Sequence, residues 1–422
     1  MDPKKDEMPA GWTPPERPDW VRRINEEGAC MDIRGVVPLD EASLLDAACR
    51  STGLSDYGDL DWLDSFRVYI KALEEEANLN LLGRLRIRQE MQFFLQARLQ
   101  IEETYKRHPE IDDEVIRRPF LVTGQGRSGT SFLQNVLGAH PDYGPLFHWE
   151  MLLPCPPPDA TTVATDPRID RADRWITQWN RVVPTLQSMH EFGARIPFEC
   201  TVAMSIPFQS DAWLGGWAAV PSFHAHIAQL DPTIPLRFVK RLLKLLQWKN
   251  PRRQWVLKDV ALLGKLDSVL KVFPEACIVW AHRDPVRATT SFINMLGTMH
   301  WSNSDTPLGG GSLEVFRNPH LMAGLFTHVI GQLESGAIPA DRLCNIQYKD
   351  LVADPLGTID AIHRHFDIPL SEAGRAGMQR YLADNPRDAR PAHRYPAATG
   401  DALTQARDAY RRYQDYFGIP SE

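Results

Sequence analysis

The stretch that decides the fold is Gly124-Gln125-Gly126-Arg127-Ser128-Gly129-Thr130-Ser131. An apolar run at residues 120–123 precedes it and predicts a buried strand, and the pattern from Thr130 onward predicts a helix. Backbone N–H groups and a helix N-terminus at such a junction form a cradle for anions, and glycines let the backbone approach phosphate oxygens closely. The sequence therefore predicts a phosphate-binding loop between a strand and a helix.

Further apolar runs suited to strands follow downstream, and a helical pattern comes after each of them. The predicted strands cover residues 255–257, 276–281 and 343–348, and the helices after them cover about 262–273, 285–296 and 355–365. Strands that alternate with helices favour a parallel sheet covered on both faces. We therefore predict an α/β fold with P-loop-like, three-layer architecture.

The rest of the chain divides by composition into three parts. Residues 1–20 are proline-rich and polar, which predicts a loose N-terminal arm, and residues 21–118 predict a helical annex. The α/β domain is predicted to span 119–422, with the Pro- and Trp-rich stretch 150–250 as an irregular and helical substrate lid. One apolar face of the annex combines five side chains at helical spacing: Ile87, Met91, Phe94, Leu95 and Leu99.

Composition and charge narrow the function classes. The 422 residues carry a net charge of −7, with a pI near 6.0, which argues against a nucleic-acid partner. The N-terminus does not read as a secretory signal, and no apolar run reaches the roughly 18 residues that a membrane-spanning helix needs. The six cysteines are scattered without a CxxC pair, so we predict reduced thiols, a cytoplasmic location and no metal site.

The loop differs from the nucleotide-triphosphate pattern GxxxxGK[ST] at its most important position. Gly124, Gly129 and Ser131 have the required spacing, but Thr130 stands where that pattern has lysine. The cation is instead Arg127, inside the loop. A kinase needs the lysine on the β- and γ-phosphates. The pattern therefore favours a shorter 5′-phosphate with an arginine directed beyond it, and a P-loop-type nucleotide kinase is kept as an alternative.

Residues 127–131 resemble the 5′-phosphosulfate loop of sulfotransferases that use 3′-phosphoadenosine-5′-phosphosulfate (PAPS). The similarity is closest to the arginine form of that loop, which protein-tyrosine sulfotransferases share with a large group of bacterial sulfotransferases, and it extends from about residue 120 to the end of the chain. The resemblance implies PAPS as the donor, 3′-phosphoadenosine-5′-phosphate (PAP) as the product and no metal. It also implies that the donor is bound by Gly126, Arg127, Ser128, Gly129, Thr130 and Ser131.

The resemblance implies a second anion site for the 3′-phosphate of the donor. Arg283, at the end of a predicted strand, and Ser291, eight residues later, match the pair that holds this phosphate in sulfotransferases. Tyr348 matches a tyrosine near the adenine ring, although a buried core tyrosine is an alternative interpretation. Arg394 lies in a stretch resembling a basic loop that closes over the 3′-phosphate, and a solvated basic turn is the alternative there.

Candidates for the chemistry follow from what sulfuryl transfer requires, which is cations on the leaving phosphate and a base for the acceptor's proton. We expect Arg127 and Lys258 to supply the cations, although Lys258 could instead form a structural salt bridge with a neighbouring acid. Glu150 is the first candidate for the base, because protein-tyrosine sulfotransferases place a catalytic glutamate at a similar distance after the loop arginine. The remaining candidates for the base are His148, His190 and Glu191.

The acceptor is the least defined part of the prediction. The aromatic residues of 150–250 can line an apolar pocket, although they can equally pack as core. Together with the acidic net charge they favour a small or lipid-like hydroxylated acceptor, sulfated on a hydroxyl or an amine. A non-catalytic protein that binds an adenosine bisphosphate stays as a further alternative. Nothing in the sequence indicates an oligomeric state.

Overall fold

A computed structural model describes residues 13–306, 318–386 and 400–422. Its N-terminal part is helical, and the long α5 ends shortly before the first strand. All five apolar residues predicted to share one face are buried in α5, because that helix lies in the middle of the surrounding helices. The helices of this part are α1 (Asp19–Gly28), α2 (Ile33–Val36), α3 (Glu41–Thr52), α4 (Leu63–Glu75) and α5 (Leu81–Arg107).

Five parallel strands form one sheet in the order β2-β3-β1-β4-β5. The predicted α/β class with a parallel, helix-flanked sheet is confirmed. Four strands lie within one residue of their predicted bounds. Missing from the prediction was β2, whose three residues include glycine and proline and give no strand signal. The strands are β1 (Phe120–Gly124), β2 (Tyr143–Pro145), β3 (Gln254–Lys258), β4 (Cys277–His282) and β5 (Leu343–Gln347).

Helices cover both faces of the sheet, and the stretch between β2 and β3 consists of short helices and turns. In that stretch lie α7 (His148–Leu152), α8 (Pro167–Ile176), α9 (Gln178–Val182), α10 (Thr201–Met204), α11 (Asp211–Leu214), α12 (Pro221–Ile227) and α13 (Thr233–Gln247). The other helices are α6 (Thr130–Gly138), α14 (Leu266–Val272), α15 (Pro285–Trp301), α16 (Pro319–Glu334), α17 (Tyr348–Ala353), α18 (Pro355–His365), α19 (Glu372–Asp384) and α20 (Gly400–Phe417).

The hydrophobic core lies on both faces of the sheet. The larger cluster joins α1, α3, α4 and α5 with the aromatic residues between β2 and β3 and one sheet face. The smaller cluster lies between the other face and α6, α18 and α19. The helical N-terminal part thus shares its core with the sheet. Among the described residues, no helix has the length and apolar character needed to cross a membrane.

Register brings the ends of three strands to one edge. Val122 of β1 lies beside Lys258 of β3, and Gly124 of β1 lies beside Ala281 of β4. Because the strands are parallel, their carboxyl ends all open at the same edge, which is where open α/β sheets bind ligands. The loop after β1, Lys258 and Arg283 therefore meet at this edge.

Glu150 has a structural place at the outer border of the sheet. Its carboxylate is fully buried, forms an ion pair with Arg252 and accepts a hydrogen bond from the Phe147 N–H at 3.1 Å. The Arg252 side chain comes from the residues before β3, crosses over Gly144 and donates to the Pro145 carbonyl at 3.0 Å. A Cβ on Gly144 would lie 1.9 Å from Arg252 Cδ, so only glycine permits this crossing. The ion pair therefore connects the short β2 with α7 and with the residues before β3.

This placement favours a structural role for Glu150 over the role of base that the sequence predicts. Its carboxylate is committed to Arg252 and to the backbone of α7, and no polar atom of the predicted donor site is in hydrogen-bonding contact with it among the described residues. Its charge is therefore compensated by Arg252 and not by a cation of the predicted donor site.

Replacing Glu150 by glutamine should therefore reduce stability rather than chemistry. Removing one partner of a buried ion pair leaves the other charge without compensation, so we expect a loss of about 3 kcal/mol in the free energy of unfolding, measured by urea titration. Asp46→Asn is the matched control, because Asp46 forms an exposed pair with Arg50 and its loss should change little. Equal stabilities for the two variants would contradict this account.

Candidate functional site

The loop between β1 and α6 has the backbone of an anion cradle. Gly124, Arg127 and Gly129 have φ angles of 146°, 75° and 89°, which turn successive N–H groups toward one side. No described side chain caps the N-terminus of α6, so its first N–H groups face the loop uncapped. Ser128 is fully buried, and its hydroxyl has no hydrogen-bond partner among the described residues. These features fit the phosphate end of a nucleotide donor.

Close packing explains why the loop needs glycine at position 126. A Cβ there would lie 2.6 Å from the Phe292 ring on α15. A larger side chain would push the loop away from α15, the helix that also carries Ser291. The Arg127 Nε donates to Ser291 Oγ at 3.1 Å, and the Arg127 guanidinium also donates to the Met189 carbonyl. Two residues predicted to bind opposite ends of the donor are thus in direct contact.

Lys258 joins the loop to a carboxylate that the sequence did not single out. Its Nζ donates to Ser131 Oγ at 3.0 Å and lies 2.6 Å from Glu199 Oε1. The Lys258 side chain is only 3% exposed and that of Glu199 17%. Glu199 arrives there because the Cys200 N–H donates to the Lys258 carbonyl at 3.0 Å, which attaches this segment to the end of β3. Lys258 does form a salt bridge, but inside the predicted site.

Electrostatics separate the ionised groups from the neutral ones. Burial opposes ionisation of Glu199, but the Lys258 ammonium outweighs it and holds the pKa of Glu199 below its usual value. Burial, with Lys258 and Arg127 nearby, lowers the pKa of His190 to about 4. Glu199 is therefore ionised and His190 neutral near pH 7.

Asp259, the residue after Lys258, behaves in the opposite way from Glu199. Complete burial, reinforced by the Glu199 charge, raises the pKa of Asp259 to about 8. Its Oδ1 accepts a hydrogen bond from the Ala261 N–H at 2.9 Å, and its Oδ2 has no partner among the described residues. Two neighbouring carboxyl groups whose pKa values are driven apart are a common arrangement in active sites.

The nucleotide side of the edge centres on Arg283. Its Nη1 donates to the Arg127 carbonyl at 3.0 Å, and its guanidinium lies over the Tyr348 ring at 4.3 Å. Tyr348 also closes against the loop, because a Cβ on Gly129 would lie 2.9 Å from that ring. The Arg283 guanidinium further forms an ion pair with Glu422.

Most of the predicted site residues thus meet at one edge of the sheet. Contacts connect Ser131 with Lys258, Arg127 with Ser291 and Arg283, and Tyr348 with Gly129 and Arg283. Arg394 lies outside the described residues. Of the alternative candidates for the base, His148 stacks on Phe198 and burial lowers its pKa to about 3, whereas Glu191 is exposed.

Glu199 is the residue that sequence reasoning missed. The one available signal was an isolated acid between Phe198 and Cys200 in an otherwise apolar stretch. Such a residue needs a cation once it is buried, and the cation lies 59 positions away at Lys258, so no local pattern connects the two. Among the described residues, no group of three or more His, Cys, Asp or Glu side chains could hold a metal ion.

Comparisons with known proteins identify the family and the fold. The model of the sulfotransferase family matches residues 119–372, which is more than half of the chain, whereas no curated protein matches. The structure resembles sulfotransferase STF1 from Mycobacterium tuberculosis H37Rv, with a TM-score of 0.74 and 26% identity over 89% of this chain and 98% of that one. It shares its fold with sulfotransferase STF9 from Mycobacterium avium, with a TM-score of 0.77 and 24% identity over 90% and 97% of the two chains. The chain therefore belongs to the sulfotransferase family.

Proposed function

We propose that this protein transfers a sulfuryl group from PAPS to a hydroxyl, or an amine, of a small acceptor without a metal. The observation that carries the proposal is the position of Lys258, between Ser131 of the anion cradle and the Glu199 carboxylate. A cation beside the leaving phosphate and a carboxylate beside the acceptor are the two groups that in-line transfer requires.

The donor would be held at both ends by residues of the sheet edge. The backbone of residues 124–131 and the Ser128 hydroxyl would bind its 5′ side, since that hydroxyl is buried without a described partner. Arg283 and Ser291 would bind the 3′-phosphate, and the Tyr348 ring would lie near the adenine. An arginine suits this role because its planar donors can engage two phosphate oxygens at once. When bound, the donor supplies the sulfuryl group and a phosphate leaving group.

Glu199 would act as the base and Lys258 as the cation on the leaving group. Glu199 would accept the proton of the acceptor hydroxyl while the acceptor oxygen bonds to sulfur and the bond from sulfur to the phosphate oxygen breaks. Lys258 would donate a hydrogen bond to that phosphate oxygen, with Arg127 as the second cation. Little covalent chemistry falls to the protein, so positioning and charge carry the rate, as in phosphoryl transfer.

The Lys258–Glu199 pair also supplies a way to activate the base. A carboxylate whose pKa is held low is a weak base, and the general base works best with a pKa near the working pH. If Lys258 turns its hydrogen bond toward a bound phosphate, Glu199 loses part of the cation that lowers its pKa. Donor binding would therefore raise the basicity of Glu199 in the partly buried space where the acceptor arrives.

The surroundings of Glu199 support an apolar acceptor that carries a hydroxyl. Phe198 precedes it directly, and the rings of Phe192 and His190 lie 5.8 and 5.2 Å from the Phe198 ring. Aromatic side chains next to a single ionised carboxylate suit a hydrophobic small molecule or lipid-like acceptor more than a polyanionic one. A cytoplasmic location also stays a proposal, supported by six cysteines that form no disulfide.

Binding of the donor is the first test. PAP should bind without metal in calorimetry, and at about 100 times its dissociation constant it should stabilise the protein by about 2.7 kcal/mol. Arg283→Ala should abolish most of this binding, because it removes the cation proposed for the 3′-phosphate. A preference for ATP with magnesium, or no bisphosphate binding, would overturn the proposed function and favour a divergent kinase.

Glu199→Gln should lower turnover by about 10²–10³-fold because the base is lost, while PAP affinity stays near the wild-type value. Asp259→Asn is the matched control. Its carboxyl is also buried next to Lys258, but it is protonated below about pH 8, so the neutral amide resembles the native state. Equal losses of turnover in the two variants would remove Glu199 from the role of base.

The raised pKa of Asp259 also predicts a pH dependence of stability. Between its usual value of 3.8 and about 8 the folded protein keeps a proton that the unfolded chain has lost, so the wild type loses stability as the pH rises. Asp259→Asn lacks this dependence, and its free energy of unfolding relative to the wild type should increase from pH 5 to pH 8. Parallel urea-unfolding curves over that range would show that Asp259 ionises normally.

A further inference from the structure

The Glu422 carboxylate forms an ion pair with Arg283, the residue proposed to bind the 3′-phosphate. Glu422 Oε1 and Oε2 lie 3.0 and 3.2 Å from Arg283 Nε, and Oε2 lies 2.8 Å from Arg283 Nη2. The pair is bidentate, with the Arg283 side chain 17% exposed and that of Glu422 35% exposed. This is the geometry in which arginine binds carboxylate or phosphate most strongly.

The residues after α20 hold Glu422 in this position. Ile419 is buried, and its N–H donates to the Gln414 carbonyl at 2.9 Å. The Glu422 N–H donates to Asp284 Oδ2 at 2.8 Å, and Asp284 also forms a two-bond ion pair with Arg407 of α20, at 2.7 and 2.8 Å. The backbone of Glu422 is thus fixed beside Arg283, and its side chain alone can leave Arg283 by rotation.

The N–H donors of the Arg283 guanidinium are engaged by different partners. Its Nη1 is committed to the Arg127 carbonyl, and one face of the guanidinium lies over Tyr348. The edge formed by Nε and Nη2 is one of the two edges through which a guanidinium binds an anion with two bonds, and Glu422 takes both of these donors. A phosphate that used the same edge would have to displace the carboxylate.

We propose that Glu422 is an internal competitor for the 3′-phosphate subsite. Its carboxylate binds Arg283 until a 3′-phosphorylated nucleotide displaces it. The inference rests on the proposed function, because it takes Arg283 to be the 3′-phosphate ligand. A phosphate dianion can outcompete a carboxylate for a guanidinium, whereas a ribose hydroxyl cannot. Nucleotides without a 3′-phosphate would therefore leave Glu422 in place.

The space around the pair is consistent with a nucleotide subsite. A cavity of about 230 Å³ adjoins Glu422, and its walls include Arg283, Gln347, Tyr348 and Lys349. Return of Glu422 to Arg283 would also favour release of the bisphosphate product after transfer. The competitor thus lowers the affinity for both donor and product. The apparent affinity equals the intrinsic affinity multiplied by the fraction of molecules in which Glu422 does not bind Arg283.

The test compares the wild type with Glu422→Gln in calorimetric titrations with PAP and with 5′-AMP, which lacks the 3′-phosphate. Glutamine keeps the size of the side chain and removes its charge, so Glu422→Gln should bind PAP about three- to tenfold more tightly. Its affinity for 5′-AMP should stay unchanged. Product inhibition by PAP should become stronger by the same factor.

Glu334→Gln is the matched control. Glu334 forms a half-exposed ion pair with Arg412 of α20. This variant therefore also removes one carboxylate from an ion pair with an arginine, but it does not affect Arg283. It should bind both nucleotides like the wild type. A gain in PAP affinity shared by both variants, or a gain for PAP and 5′-AMP alike, would show a general charge effect and overturn the inference.

Failure of the inference and failure of the proposed function give different results. If the wild type and Glu422→Gln bind PAP equally, or if the variant binds PAP more weakly, the competitor is overturned while the donor site stands. If none of the proteins binds PAP, both proposals are overturned.

Discussion

Parallel pairing of β1 with β3 and β4 is the constraint on which the site depends. Through it, the loop after β1, Lys258 at the end of β3 and Arg283 after β4 meet at one edge, although more than 150 positions separate the first from the last. Parallel strands end at the same side of a sheet, so a loop that binds an anion gains cations from its neighbouring strands without any local sequence motif. A change in register of one residue would turn Lys258 to the other face of the sheet.

The charges at this edge are compatible with the proposed anionic donor although the protein as a whole is acidic. The net charge of −7 reflects the whole surface, whereas the edge concentrates Arg127, Lys258 and Arg283. Two of these cations are paired with carboxylates, Lys258 with Glu199 and Arg283 with Glu422. Buried or half-buried cations without a counter-ion would be costly. The two carboxylates compensate these cations, and each would yield a hydrogen bond to a phosphate of the proposed donor.

The three carboxylates that matter differ through their neighbours rather than their sequence context. Glu150 lies among aromatic and apolar residues, yet Arg252 reaches it across Gly144 and makes it a structural link. Glu199 lies in a stretch of little pattern and receives Lys258. Asp259 follows Lys258 directly, but it is buried with one oxygen unpaired, so its pKa rises while that of Glu199 falls. Burial and the nearest cation decide each case.

The sequence by itself determined the class of fold and the position of the glycine-rich loop that is proposed to bind the donor. Alternating apolar runs and helical periods specify a helix-covered parallel sheet, and glycines 124 and 129 with Arg127 specify the cradle, because strand, turn and helix are local properties of the chain. The donor-side residues Lys258, Arg283 and Ser291 could also be selected, since they follow strands or lie on the next helix.

Only the tertiary structure decided which carboxylates the cations meet, and it alone revealed the short strand β2. Glu199 reaches Lys258 through a backbone bond from Cys200, and Glu422 reaches Arg283 through the packing of α20. Such pairs join segments that are 59 and 139 positions apart, and their formation depends on how loops close over the sheet. No periodicity encodes that closure, because the free energy that selects it comes from burial and charge in the assembled fold.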